Sequence, residues 1–410
     1  MKPKLLYIAP QNPYPPVDGG KIGIYYPLIY MSKYFDVYFA FPYGNLSISL
    51  RDIEKHFAIK KIKVLPFPHN TKQDVKYLLK NFFKKVPFKW DKYYSKYFQK
   101  EIEKLIIQEN INLIWVSAPH MARYAIEARK KFPKIKIFLR EHNIEFKLVE
   151  QFKNYTKNPI YKIISLWQLK KAKKLEIEYW RLFEKIFFIS DLDYVIAKEL
   201  MPHICNKFVV LYDGYDIVIN EPLIPQDNSF IYTANLKTIQ NSISFKWFVK
   251  SIWIPNLDKL KEMNIKLYIT GNEEKVVTQI LGFKNIHNYN IINLGFVRDI
   301  NKTILPHKYV LSPTIIGSGI RLKILNGMAC GKPVFLTPLD LSTCSVFKDM
   351  DNVVCFKTKN EFLKKLITLE RNSELYLKIS KRAVETIRIF FNWSKYAEKV
   401  YKIISEEVQT

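Results

Sequence analysis

The sequence predicts an α/β protein of two Rossmann-like, doubly wound domains facing each other across a cleft, with a C-terminal helix returning to the first domain. Three observations lead there. The chain has 410 residues, more than one hydrophobic core usually serves. Short apolar runs alternate with longer stretches of helical period, which is the rhythm of parallel βαβ units. That rhythm also runs twice, restarting after a polar, Pro-containing stretch from Asn220 to Asn228.

In the first round, Leu5–Ala9, Val37–Phe41, Leu113–Val116, Ile135–Leu139, Ile186–Ile189 and Phe208–Leu211 read as buried strands. Lys21–Lys33 and Ala122–Lys131 read as helices between them. In the second, the strands are Phe230–Thr233, Lys266–Thr270, Ile291–Leu294, Tyr309–Ser312 and Pro333–Leu336. Near the end, Asn392 is placed to cap a helix whose Trp393, Tyr396, Ala397, Val400, Tyr401 and Ile404 form one apolar stripe. Such a stripe needs a partner surface, expected on the first domain. The expected domains are therefore residues 1–212 with 392–410, and residues 213–391.

Lys and Arg outnumber Asp and Glu by 65 to 38, and an excess of +27 should attract an anion: nucleic acid, an acidic membrane or a phosphorylated ligand. The lysines are spread along the whole chain with no recognised nucleic-acid module, which argues against a nucleic-acid partner. Within Asp74–Ile107, however, lysines alternate with aromatics such as Phe88, Trp90, Tyr93, Tyr94, Tyr97 and Phe98. That composition fits docking on anionic lipid headgroups and equally a lysine face over an aromatic core contact. The four cysteines show no metal-ligand spacing and read as reduced thiols. No apolar run approaches the roughly 20 residues needed to span a bilayer, and the start is too short before Pro10 for a secretory segment. A cytoplasmic protein, peripheral at the inner face of the plasma membrane, is expected.

Two glycine-rich turns are the candidate ligand sites. Pro13 to Lys21 ends in Gly19 and Gly20 ahead of a helix, where backbone N–H groups meet an anion, though a plain tight turn reads the same way. The stronger one follows the strand at Tyr309–Ser312. Gly317, Ser318, Gly319 and Ile320 lead into a helix with Arg321 and Lys323 in its first turn, then Gly331-Lys332-Pro333-Val334 opens the next strand. The turn lies at the carboxyl end of a parallel strand, where open α/β sheets bind ligands. Cations at a helix N-terminus oppose the macrodipole, so a pair there suits an anion between them; basic residues pointing to water are the plainer reading.

This stretch resembles the donor-binding segment of the retaining glycosyltransferases of family 4, in the branch with Gly-Ser-Gly-Ile-Arg before Gly-Lys-Pro-Val. Several further segments in order are similar: Pro13–Lys21, Arg140–Glu145, Glu176–Asp193, Tyr212–Asp216, Gly271 and Leu294–Val297. The resemblance implies a GT-B fold, no obligatory metal or other cofactor, a nucleoside diphosphate sugar as donor on the second domain, and a glycan or lipid-linked acceptor on the first. It places Phe296, Val297 and Arg298 near the base, Gly317 to Lys323 on diphosphate and sugar, and Gly19 and Gly20 on the phosphates from the opposite side. Front-face attack with the leaving phosphate taking the acceptor proton, and a role in capsule, O-antigen or exopolysaccharide synthesis, belong to the same implication. The sequence departs from the family where two glutamates eight positions apart are expected and Ser318 and Asn326 stand instead. Asn326 can still hydrogen-bond a ribose diol, without charge. An Arg and Lys pair on the diphosphate is reduced to Asn235 with Lys237 nearby. These departures keep open a catalytically degenerate module that binds a glycan or an anionic membrane.

His120 and His142, each after a first-domain strand, are the candidates to orient donor or acceptor, with a structural role as the alternative. Glu145 reads as structural. Asp191-Leu192-Asp193 has the look of a metal motif, but after Ile189-Ser190 it caps the following helix more simply.

Overall fold

The computed structural model describes residues 2–44, 48–69, 81, 84–156 and 158–409. The chain divides into two compact units, Met1–Asp213 with Trp393–Thr410, and Gly214–Asn392. Each is built around one all-parallel sheet.

In the first unit the strands are β1 (Lys4–Ile8), β2 (Asp36–Tyr43), β3 (Lys63–Pro68), β4 (Leu113–Val116), β5 (Lys136–Glu141), β6 (Lys185–Phe188) and β7 (Phe208–Val210), in the order β3-β2-β1-β4-β5-β6-β7. β3 does not stand out in the sequence, because Pro66 and Pro68 interrupt it. A strand at the sheet edge tolerates them, since one side of its backbone needs no ladder partner. The second unit holds β8 (Asp227–Thr233), β9 (Lys266–Thr270), β10 (Ile291–Asn293), β11 (His307–Ser312), β12 (Val334–Leu336) and β13 (Val354–Cys355), in the order β10-β9-β8-β11-β12-β13. In both sheets the chain starts in the middle, winds outward one way, then returns past its first strand to wind the other way. The reversal falls between β1 and β4 and between β8 and β11, and the crevice at the strand carboxyl ends there is where such sheets take ligands.

Central strands buried on both faces explain the continuous apolar runs: β4 and β12 have no exposed residue. Helices cover both faces of the first sheet. One layer includes Trp90, Phe98, Ile102, Tyr124 and Trp180. The other is closed by the last helix, Trp393–Gln409, whose Trp393, Tyr396, Ala397, Val400 and Ile404 are buried against helix Gly19–Met31 and the sheet. Trp393 stacks on Tyr26 with ring centroids 5.4 Å apart, and Tyr401 on Tyr34 at 5.2 Å. The expected return of the C-terminal stripe to the first domain is thus what the chain does. Ile404→Val, removing one methylene from a residue only 1% exposed, should cost about 1 kcal/mol, whereas Val408→Ala on the exposed face should fall within about 0.5 kcal/mol of the parent in urea unfolding.

Part of the basic aromatic stretch 74–107, namely 74–80 and residues 82 and 83, lies outside the described residues. Its described aromatics, Tyr97 apart, turn inward rather than toward lipid. Trp90 and Phe98 are core residues, Tyr93 packs on the His120 ring at 4.4 Å, and Tyr94 packs on Tyr124 at 5.3 Å. Lys89 forms an ion pair with Glu145 at 2.7 Å. Apolar burial outweighs any surface role for that side of the segment, and among these aromatics Tyr97 is the exposed one, at 58%. Among the described residues no helix is long and apolar enough to cross a membrane.

Candidate functional site

In the second unit the site residues follow the carboxyl ends of β8, β9, β10 and β11. Gly271 and Gly295, both at positive φ, end β9 and β10, and the Gly295 carbonyl accepts from Gly271 N at 2.7 Å and Thr270 Oγ1 at 2.9 Å. This bond pins the next turn, and Phe296 projects from it 84% exposed. Val297 is half-buried and Arg298 exposed beside it. Lys237, in the turn after β8, is exposed.

The β11 turn is the most constrained part of the site. Gly317 has φ +140° and Gly319 φ +73°, values that favour glycine. A Cβ on Gly317 would lie 1.5 Å from Nη2 of Arg321, so the guanidinium folds back over the glycine. Ser318 is buried and Ile320 half-buried between them. Arg321 does not stand inside the first helical turn. It is the N-cap, with extended backbone, and the helix is Leu322–Ala329. Gly327 in that helix lies where a Cβ would come within 2.7 Å of Val334 and 2.9 Å of Val310, so it lets the helix sit close on β11 and β12.

Lys323 points inward. It is buried, with Nζ 4.3 Å from the centre of the Tyr232 ring and 3.4 Å from Asn241 Oδ1. The anion beside these cations is part of the protein: Asp340 is fully buried, accepts from Ser312 Oγ at 2.6 Å, and has Oδ1 3.9 Å from Arg321 Nε. Burial pushes the Lys323 ammonium down to about 7 while the Asp340 charge opposes that, and burial raises the Asp340 carboxyl against the pull of Arg321. The sequence argument from opposing dipoles foresaw an anion but not an internal one, because Asp340 lies beyond the next strand. Several polar atoms remain without hydrogen-bond partners among the described residues: Arg321 Nε, Asp340 Oδ1 and, one helical turn on, the buried Oδ1 of Asn326. Buried polar atoms of that kind are costly unless something binds them.

In the first unit Gly19 and Gly20 are the first two residues of helix Gly19–Met31 rather than a loop ahead of it, because Asp18 caps Lys21 N at 2.9 Å. Both take ordinary helical backbone. His120 sits in a buried turn after β4, and Nδ1 has no hydrogen-bond partner among the described residues. His142 follows β5. Its ring accepts from Arg140 Nη1, 2.8 Å from Nε2, and lies 3.3 Å from Ser117 Oγ. Burial lowers both histidines well below the ordinary value, assisted by Lys89 at His120 and by Arg140 at His142, so each is a neutral imidazole. Arg140 itself is fully buried, donates to the Gly23 carbonyl at 2.6 Å and bonds Asp213. Ser117 also accepts from Tyr7 at 3.2 Å, which completes a polar chain Tyr7, Ser117, His142, Arg140, Asp213 along the carboxyl edge of the sheet. The sequence reading gave a role only to His142 in it, although Arg140 and Asp213 lie in segments matched to the family. An arginine inside the apolar run of β5 was the available signal, since such a charge persists only when paired. Glu145 is engaged by Lys89, and Ser190 with Asp193 caps helix Asp191–Leu200, Ser190 Oγ accepting from Asp193 N at 3.2 Å.

Residues 227–372 match the family model described as Glycosyl transferases group 1. No curated protein matches the sequence. Solved structures are similar over nearly the whole chain. HepE from Anabaena in complex with UDP has TM-score 0.67 and 12% identity, covering 98% of this chain and 100% of its own. Sucrose-phosphate synthase from Thermosynechococcus elongatus has TM-score 0.70 and 10% identity, covering 98% of both chains. A UDP-forming α,α-trehalose-phosphate synthase from Burkholderia xenovorans, in complex with glucose-6-phosphate, has TM-score 0.64 and 11% identity, covering 99% of this chain and 100% of its own. At such identities the likeness is one of fold, the GT-B fold. With the match of the second unit to a glycosyl transferase model, the chain is a glycosyltransferase by class.

Proposed function

We propose that the chain moves a sugar, with retention at the anomeric carbon, from a nucleoside diphosphate sugar to a hydroxyl of a glycan or lipid-linked acceptor, in the synthesis of a surface polysaccharide. The observation that supports this most is the β11 turn, where Gly317 and Gly319 open the backbone and Arg321 and Lys323 place two cations beside it. In the reaction the bond from the anomeric carbon to the diphosphate breaks, the acceptor oxygen forms the new one, and its proton passes to the departing phosphate. Negative charge builds on the diphosphate, and Arg321, Lys323 and the turn amides are the groups to neutralise it. That set needs no divalent ion, so EDTA should leave turnover unchanged.

Phe296 offers an exposed ring for the base, with Val297 and Arg298 beside it, and Asn326 a neutral hydrogen-bonding group for the ribose. Lys237 adds charge on the β8 side. The complex of HepE with UDP makes uridine the first base to try. In the first unit the neutral imidazoles of His120 and His142 are suited to hydrogen-bonding sugar hydroxyls, and Gly19 and Gly20 present the start of a helix to phosphate.

The test is a thermal-shift series with UDP, GDP, CMP, ADP and dTDP, followed by hydrolysis or transfer from the matching sugar donor. One nucleotide should raise the unfolding temperature. Gly317→Ala should abolish that rise, since the added methyl must displace the Arg321 guanidinium and a positive φ is strained for alanine. A nucleotide shift without any turnover would replace the enzyme by a module that only binds, and no shift with any nucleotide would sink the donor assignment.

A further inference from the structure

The helix Pro159–Leu182 buries one face and leaves the other uncovered. Ser165, Ala172 and Glu176 point to the core. At 3.6 residues per turn, Ile160, Ile163 and Trp167 lie on the opposite side, and Lys170 and Lys174 continue that side toward the C-terminus. Among the described residues, exposed apolar side chains ring the N-terminal turns of this helix: Ile160 at 64% and Ile163 at 66% on the uncovered side, Tyr161 at 55% on the side that Ser165 continues, and Leu166 at 44% between the two, with Tyr155 at the end of the preceding helix at 43%. Single exposed apolar residues need no explanation, but a contiguous group does.

Charge says what would cover it. Between positions 147 and 174 the sequence has eight lysines and one acidic residue, Glu150. Lys162, Lys170, Lys173 and Lys174 are exposed, and Lys171 lies across the Trp167 ring at 3.7 Å. Two copies of this face would repel each other, whereas an anionic surface with an apolar interior complements both halves. The layout matches as well. Ile163 precedes Lys170 by about 10 Å along the axis, so a helix inclined to the surface can put its apolar tip below the headgroups while the lysines stay among them.

We infer that the N-terminal turns of helix Pro159–Leu182, with Tyr155, form a docking surface for an anionic lipid bilayer, the apolar tip entering the interface and the lysines meeting the phosphates. The surface is distinct from the inward-facing aromatics of the stretch 84–107, and it does not depend on the sugar-transfer reading.

The experiment is co-sedimentation of the full chain with phosphatidylcholine vesicles, with and without phosphatidylglycerol, at low and high salt. The wild type should pellet only with the anionic vesicles and be released by salt. Ile160→Glu with Ile163→Glu, and separately Lys170→Gln with Lys174→Gln, should each lower the partition coefficient about tenfold or more. Both pairs are exposed, so the unfolding temperature and any nucleotide-induced shift should stay as in the wild type, which separates loss of docking from loss of fold or of the donor site. A wild type that stays in the supernatant overturns the inference, as does an Ile160→Glu/Ile163→Glu variant that still binds like the wild type. Self-association in sedimentation velocity that the same variant abolishes would identify a second copy as the occupant and overturn it equally.

Discussion

Lys323→Met should lower nucleoside diphosphate affinity by about ten- to a hundredfold, the loss expected for one hydrogen bond to a charged group (about 1.5–3 kcal/mol). Arg321→Ala should do the same. Stability separates this from a folding defect. The ammonium is buried beside Arg321, and burial pushes it down to about 7, so Lys323→Met removes a poorly solvated charge and should leave the unfolding midpoint unchanged or higher. The pH dependence has a definite sign. In the free protein Lys323 loses its proton as pH rises through about 7, while a bound diphosphate holds that proton on. Affinity should therefore be greatest below pH 7 and decline above it, with proton uptake on binding in the alkaline range. Calorimetry in two buffers of different ionisation heat measures that uptake directly, and Lys323→Met should abolish it. A pH-independent affinity with no uptake would place the phosphate elsewhere.

Arg140→Met should be the more destructive change to the fold, costing about 3–5 kcal/mol, because it strands the Asp213 carboxylate and the Gly23 carbonyl that the guanidinium satisfies. Adding Asp213→Asn removes the stranded charge and should restore a good part of the loss, since the two residues act as one unit. Urea unfolding of the parent, Arg140→Met, Asp213→Asn and the double variant measures the coupling. The same substitution should move His142. Burial, then the Arg140 charge, keeps its imidazole neutral, so the native state takes up fewer protons there than the unfolded chain. Stability is consequently lost as pH falls through the ordinary histidine range toward the depressed native value. Without Arg140 the ring can protonate more readily, and its part in that acid sensitivity should shrink. A His142 ring resonance that titrates alike in the parent and in Arg140→Met would show that the guanidinium does not set its state.

The two-sheet architecture was legible before any coordinates because its signals are local. Buried parallel strands such as Leu113–Val116 must be apolar throughout, the intervening helices repeat at their own period, and the stripe from Trp393 to Ile404 declares a face that needs covering. Gly317, Gly319, Arg321 and Lys323 were equally visible, since a turn after a strand and ahead of a helix is written within a dozen residues. Strand β3 was not, because edge position, which excuses its prolines, is a property of the sheet. The electrostatic state of the site was not legible either. Lys323 is pushed toward neutrality by burial, in a pocket where the Tyr232 ring comes from 91 positions away, and is countered by Asp340, while Arg140 reaches Asp213 across 73 positions. Periodicity and turn chemistry act between neighbours in the chain and so belong to the sequence alone. Desolvation and the pairing of buried charges depend on which distant residues the tertiary structure brings together, and only it decides them.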